Sequence, residues 1–382
     1  MTKKIKVHYI FNTPSQVKKG NEIIKDHFAK PEEDIHFPHV SGATSRFGGT
    51  YIGEHLKKEG ANISYHHVSD KTGAKTPKEL GIEAGDIVFL IKGLDKACAD
   101  TLKNIKDAGI VCGYHIADPH YLNTDDVAKK KRENQIRNII TANFIVATSD
   151  ELNKNLTANF KEKTIYTIKD AIDTKYKIPN WLPKKDLTLT TTGYAKSLPE
   201  VHASLDELKA LDIDIEYKIT SALQRKADKD HGAGGVYEEI QSFNAPNLNV
   251  ILENYTTLKT IKNFANADVC LIPSLKEVDM TEHKAMWTKA KGNGRVIMGI
   301  NAGLPVITDF SRFDSYREFG EKGAFWKGSI SKTIKYILSP ENTELINAQI
   351  IEGQKIIKNK YATKVLAEKY LDIFEKELEK VR

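Results

Sequence analysis

Residues Lys289 to Phe310 read KAKGNGRVIMGINAGLPVITDF, a short helix passing directly into a strand. Val296, Ile297 and Ile300 recur at helical spacing, and Asn293 stands where an N-cap belongs, so the helix is expected to begin at Gly294 or Arg295. Gly303 occupies the C′ position and Pro305 blocks further helix, which forces the chain into the strand Val306–Thr308. Lys291, Asn293 and Arg295 converge on the helix N-terminus. Cations there oppose the helix dipole by about 0.3–1 kcal/mol each. A bound diphosphate would cancel that conflict, with lysine as a point charge and arginine as a bidentate fork. A solvated basic first turn is the plainer alternative.

Working outward, the same alternation of short apolar runs and helical stretches fills the chain, as expected of parallel sheets covered by helices. In the first half, strands are expected at Ile5–Phe11, Asn62–His66, Asp86–Ile91, Ile110–Tyr114 and Phe144–Ala147. Helices are expected near Thr50–Glu59, Lys96–Ala108, Asp126–Thr141 and Ser149–Asn159, the third of them a surface helix. Around residues 173–183 the periodicity dissolves into prolines and lysine pairs, the best linker candidate. A fresh alternation follows, with strands at Leu187–Thr192, Ile213–Thr220, Leu248–Ile251 and Val269–Ile272. Its helices fall at Leu198–Ala210, Val236–Phe243, Tyr255–Ala265 and Ser329–Leu338, and one long helix runs from about Thr343 onward.

A chain of 382 residues exceeds one ordinary core, and size priors favour two units of roughly 150 to 200 residues. The expected division is residues 1–178, residues 179–340 and a C-terminal helix over residues 341–382 that packs back toward the first domain. The fold class expected is α/β, two doubly wound Rossmann-like domains facing across a cleft.

The 57 basic against 51 acidic residues leave a net charge of +6, but the cations are scattered. That is a soluble surface with at most a weak preference for anionic partners. Cys98, Cys112 and Cys270 lie far apart without CxxC spacing, so neither a disulfide framework nor a zinc site is indicated, and a reducing cytoplasm fits. No run of about 18 apolar residues occurs, which leaves only peripheral membrane contact. The aromatic residues are not interleaved with basic runs, so a single-strand nucleic-acid binder is disfavoured.

Four further stretches could carry chemistry. Gly48-Gly49-Thr50 opens the helix that ends at Gly60, where backbone N–H groups could approach an anion, although GxGxxG is absent and a tight turn is the better explanation of the glycines taken alone. His115 and Asp118 follow a strand and so fall at a sheet's carboxyl edge, where they could accept a proton or hold a sugar hydroxyl. Equally, Asp118-Pro119 starts a turn. The DxD of Asp212-Ile213-Asp214 is read as the wet side of a strand, because Ile213 and Ile215 alternate with the acids. His231-Gly232-Ala233-Gly234-Gly235 is read as a surface loop.

Taken together these residues resemble the GT-B nucleotide-sugar glycosyltransferases, closest to glycosyltransferase family 4 (group 1). The resemblance rests on Gly48-Gly49 with His55-Leu56 and Gly60, on Phe144 to Ser149, and on Ala171-Ile172-Asp173. In the second half it rests on Asn266 to Ser274 and Ala302 to Ile307. It implies transfer of a sugar from a UDP- or GDP-linked donor to a polysaccharide, glycolipid or other glycoconjugate, retaining, with no metal and no further cofactor. The donor site so implied comprises Gly48, Gly49, Ser274, Glu277, Lys291, Asn293 and Arg295, with His115 and Asp118 as catalytic candidates. The family's paired-glutamate motif is not reproduced. Met298 stands where its second acid would fall, and Glu277 is the only acid near the first. A sugar-nucleotide epimerase on the same fold and a glycosyltransferase acting on modified DNA are the alternatives. The location implied is cytoplasmic, or peripheral to the inner face of a membrane.

Overall fold

The computed structural model describes residues 5–12, 46–123, 128–171, 177–193, 197–221, 235–255, 257–273, 292–312 and 314–381. The chain divides into two compact units. One comprises residues 1–173, 286–292 and 359–382, the other residues 174–285 and 293–358.

The first unit is wound on a six-stranded parallel sheet in the order β2-β1-β3-β4-β5-β6. Its strands are β1 (Lys6–Phe11), β2 (Asn62–His67), β3 (Ile87–Ile91), β4 (Val111–Ile116), β5 (Phe144–Ala147) and β6 (Thr164–Thr167). Helices α1 (Tyr51–Lys58), α2 (Lys96–Asp107), α3 (Lys129–Thr141) and α4 (Asp150–Asn159) alternate with them. Strand β3 is IVFLI and every residue is buried, the apolar run expected of a strand covered on both faces. Successive side chains therefore serve two cores. Val7, Tyr9, Phe89, Phe144 and Val146 pack with α1 on one face, while Ile10, Val88, Leu90, Tyr114 and Ile145 pack with α2 and α4 on the other. The first face is closed by the last helix of the chain. Phe89 lies parallel to Phe144 at 5.9 Å and meets Tyr370 and Phe374 edge-on at 5.6 and 5.5 Å.

The second unit carries a six-stranded parallel sheet in the order β12-β11-β10-β7-β8-β9. Its strands are β7 (Asp186–Gly193), β8 (Asp214–Ser221), β9 (Leu248–Asn254), β10 (Val269–Leu271), β11 (Val306–Ile307) and β12 (Ala324–Phe325). The described helices are α5 (Leu198–Lys209), α6 (Val236–Ser242), α7 (Thr257–Asn266), α8 (Gly294–Asn301), α9 (Asp314–Arg317), α10 (Ile330–Leu338), α11 (Thr343–Lys360) and α12 (Thr363–Glu379). The last of these, α12, belongs to the first unit, where it packs on α1. The expected fold class of two doubly wound Rossmann-like units is the one observed.

The turn after α8 is a Schellman motif: Gly303, at φ 77°, donates its N–H to Ile300 O at 3.0 Å, and Leu304 N–H donates to Gly299 O at 3.1 Å. Asp214 is exposed and Ile215 buried, as the strand reading of DxD requires.

Two expectations need correction. Asn293 occupies the N-cap position of α8, but its side chain makes no capping bond. The single C-terminal helix is two, because Ala362 is extended at ψ 138° and separates α11 from α12. Residues 177–183, the described part of the expected linker, are held by hydrogen bonds within the second unit. Trp181 donates from Nε1 to Ile337 O at 3.0 Å, Asn347 exchanges hydrogen bonds with the Trp181 backbone, and Gln354 donates to Lys177 O. Strands β6 and β12 are not among the strands expected from sequence.

Candidate functional site

In a doubly wound sheet, ligands bind beyond the carboxyl ends of the strands where the order reverses. In the second unit that point lies between β7 and β10. A recess there is walled by Thr191, Thr192 and Gly193 of β7, by Ile219, Thr220 and Ser221 of β8, by the first turn of α5, by Pro273 and by Arg295. Gly193 lies beside this arginine: a Cβ there would stand in ordinary contact, 3.8 Å, with Arg295 Nη1.

Burial works against the Arg295 charge, but the electrostatic influence of the neighbouring Tyr316 and of the Glu200 carboxylate outweighs it, holding the guanidinium pKa above its ordinary value. The charge conflict at the start of α8 is thus partly relieved within the protein by Glu200. Beside it, Asn293 is fully buried with neither amide atom hydrogen-bonded, and the buried Ser221 hydroxyl likewise lacks a partner among the described residues. Buried amides are normally paired, so this one is an available donor and acceptor at the helix start.

In the first unit the order reverses between β1 and β3. Gly48 and Gly49 form a π-helical turn, Arg46–Thr50, leading into α1. A Cβ on Gly49 would lie 2.8 Å from the Phe11 ring, and one on Gly48 would overlap the imidazole of His115. Both glycines therefore allow the backbone to press directly onto the sheet edge.

His115 is 1% exposed, its Nδ1 has no hydrogen-bond partner among the described residues, and Phe89 meets it edge-on at 6.2 Å. Burial, assisted by Lys92, lowers its pKa to about 3, so the ring is neutral at physiological pH. Asp118 pairs with Lys92 Nζ at 2.7 Å. Lys92 itself is left-handed, at φ 56°, a conformation unfavourable for a side chain-bearing residue and frequent at functional sites. The loops behind this pair are pinned by amides of α3. Gln135 donates to Asp118 O at 3.0 Å, Asn138 to Gly93 O at 2.6 Å and Asn134 to Leu94 O at 3.0 Å. Asp170, following β6, completes the edge. Burial and the nearby Asp118 raise its pKa to about 7 against the opposing influence of Lys92.

Gly48, Gly49, His115 and Asp118 thus gather at one sheet edge, and Asn293 and Arg295 at the other. Ser274, Glu277, Lys291 and most of the loop His231–Gly235 lie outside the described residues. Lys92, Asp170, Glu200 and Tyr316 were not singled out from sequence. Lys92 was accessible to the rule that flagged His115, because it directly follows a strand.

No protein-family model matches the chain, and no curated protein matches it in sequence. Solved structures do match. HepE (Alr3699) of Anabaena, in complex with UDP and glucose, superposes with a TM-score of 0.61 at 13% identity, over 97% of this chain and 100% of that one. TarM, known from S. aureus, gives 0.53 at 18% identity over 76% of this chain and 55% of its own, so the chain spans about half of TarM's length. The lipopolysaccharide outer core galactosyltransferase WaaB, in its apo form, gives 0.51 at 13% identity over 97% and 100%. At such identities the likeness is one of fold, the GT-B architecture of two Rossmann-like units.

Proposed function

We propose that the chain is a glycosyltransferase that moves a sugar from a nucleoside-diphosphate donor to a carbohydrate or glycolipid acceptor. The observation that carries this reading is Arg295, a partly buried cation lining the recess at the reversal point of the second sheet, next to Asn293, whose amide has no hydrogen-bond partner among the described residues. The donor's diphosphate lies against Arg295 and the N-terminus of α8, with Lys291, Ser274 and Glu277 contributing from the adjoining segment. The acceptor belongs to the first unit, at His115 and Asp118. The neighbours whose structures hold UDP, and in one case glucose, support the same assignment.

Negative charge develops on the leaving diphosphate as the glycosidic bond breaks. A preorganised guanidinium and helix N–H groups stabilise that charge more in the transition state than in the bound donor, which is the condition for catalysis. On this reading the transfer is metal-independent and retaining. The test is to substitute Lys291 and Arg295 with Ala and titrate UDP and GDP. Loss of affinity is expected, and unchanged affinity for both nucleotides overturns the assignment.

A further inference from the structure

Three large aliphatic side chains stand exposed on one face of the second unit: Ile178 at 83%, Leu182 at 55% and Ile351 at 40%. The first two belong to the segment 177–183 and the third to α11. Hydrogen bonds bring them together. Gln354 Nε2 donates to Lys177 O at 2.9 Å, while Asn347 accepts the Trp181 N–H at 2.8 Å and donates to Trp181 O at 3.0 Å. Asn347, Ile351 and Gln354 recur at i, i+4 and i+7, one stripe of the helix. The segment therefore runs antiparallel to α11 and passes Ile351 between its two fastenings. Its anchor is Trp181, 4% exposed, whose Nε1 donates to Ile337 O. Ile178 and Leu182, on either side of that anchor, are left outside the packing.

A single exposed aliphatic residue is ordinary, but three along one fixed segment and its supporting helix form a patch. The charges around it indicate what it meets. Lys185, Lys355 and Lys358 are exposed and have no ion-pair partner among the described residues. Lys177 is exposed as well, and its Nζ donates to a carbonyl, Ala265 O, which leaves its charge uncompensated. Among the acids nearby, Glu352 faces Lys322 at 3.7 Å. Glu344 lies at the opposite end of α11 from Lys355 and Lys358, and Asp186 is exposed beside Lys185. The helix dipole accounts for lysines in the last turns of α11, but not for the aliphatic side chains next to them.

We propose that this patch docks on a bilayer surface carrying anionic headgroups, with Ile178, Leu182 and Ile351 entering the headgroup boundary and the lysines meeting lipid phosphates. Apolar area and cationic charge on one face are the two contributions that hold a protein at such a surface. A second copy of this chain fits less well, because a two-fold contact through the patch would set the lysines of one protomer against those of its partner. The proposal stands apart from the glycosyl-transfer reading, since none of these residues lines the recess of the second unit.

The test is co-sedimentation of the full chain with vesicles of phosphatidylcholine alone and of an equal mixture of phosphatidylcholine and phosphatidylglycerol. It compares the wild type, the double variant Ile178→Ser with Leu182→Ser, the double variant Lys355→Glu with Lys358→Glu and, as a control in the first unit, Ile140→Ser. Every substituted side chain is exposed, so the fold is not at stake. Expected are wild-type binding to the mixed vesicles only, weakened by salt, and a loss of about tenfold or more in each double variant, with Ile140→Ser matching the wild type. The proposal is overturned by absence of vesicle binding, by equal binding to both vesicles, by double variants that bind as the wild type does, or by an equal loss in Ile140→Ser. A wild-type dimer in light scattering that Ile178→Ser with Leu182→Ser dissociates, without vesicle binding, overturns it too and gives the patch to a second copy. A UDP titration is read separately: its failure removes the donor reading and leaves the vesicle result intact.

Discussion

At the carboxyl edge of the first sheet the strands end against packed matter: Gly48 on the His115 ring, Gly49 on Phe11, and a lysine already matched to an aspartate. At the same edge of the second sheet, β7 and β8 end at a recess bordered by threonines and a guanidinium. The two sheets share a winding rule and differ in what they leave available. The first offers hydrogen-bonding groups of almost no net charge, and the second offers a cation. On the proposed reading, the charged donor takes the second edge and the neutral acceptor the first.

The comparison is broken most severely at glycine. Ala at Gly48 places a methyl group into a ring that is itself buried, so Gly48→Ala is expected to destabilise the first unit by roughly 1–3 kcal/mol, the usual range for overpacking. At Gly193 the nearest atom to an added Cβ is Ser197 Cβ at 3.3 Å, which must yield by a few tenths of an ångström, and Gly193→Ala is expected to cost less than Gly48→Ala. Thermal unfolding of both variants decides this. Equal destabilisation would mean that the second edge is as tightly closed as the first.

The next effect concerns charge. Arg295→Ala should weaken UDP binding by about ten- to a hundredfold, the range for losing a charge-assisted hydrogen bond of about 1.5–3 kcal/mol. Glu200→Gln should act in the opposite direction. Removing the carboxylate that competes for Arg295 leaves more of the cation's field for the nucleotide, so UDP should bind several-fold tighter at low salt. Calorimetric titration separates the outcomes. Weaker UDP binding in Glu200→Gln would mean that the acid orients the arginine rather than competing with ligand for it.

Much of this architecture is legible in the sequence because it is local. The run IVFLI, the stripe Val296, Ile297 and Ile300 and the turn Gly303-Leu304-Pro305 specify strand, helix and stop within a few residues of each other. From these the alternation follows, and with it the sheet edges on which His115, Asp118, Asn293 and Arg295 had to fall. What sequence reading misses is pairing over distance. Lys92 meets Asp118 across 26 positions, Arg295 finds Glu200 from another helix, and Gly48 owes its identity to a ring on β4. No periodicity encodes such contacts. The expected Asn293 cap shows the converse limit: the residue type and position were right, and its side chain points to other use.

The smallest expected effect is in the pH dependence of stability, which again separates the units. In the first unit, burial lowers the pKa of His115 to about 3 and, together with His8 and Lys6, that of His66 to about 4. His66 sits 2.8 Å from His8 Nδ1, whose ring in turn pairs with Asp86 at 3.0 Å. Below the ordinary histidine value of 6.5 the unfolded chain takes up protons that these folded histidines refuse, so stability falls as pH drops from about 6.5 toward 4. Asp170 acts with the opposite sign. Its folded pKa is raised to about 7, chiefly by burial and then by Asp118, with Lys92 opposing and Tyr370 also facing it, so the folded state holds a proton that the unfolded state releases near 3.8. Stability from this group is therefore full in acid and lost as pH rises through about 7. Asp170→Asn should accordingly raise the unfolding midpoint at pH 8 by a few degrees, about the shift for 1 kcal/mol in a unit of this size, and leave it unchanged at pH 4. An Asn variant that is no more stable at pH 8 than the wild type would place the Asp170 carboxylate in contact with water, and would remove burial as the reason for its perturbation.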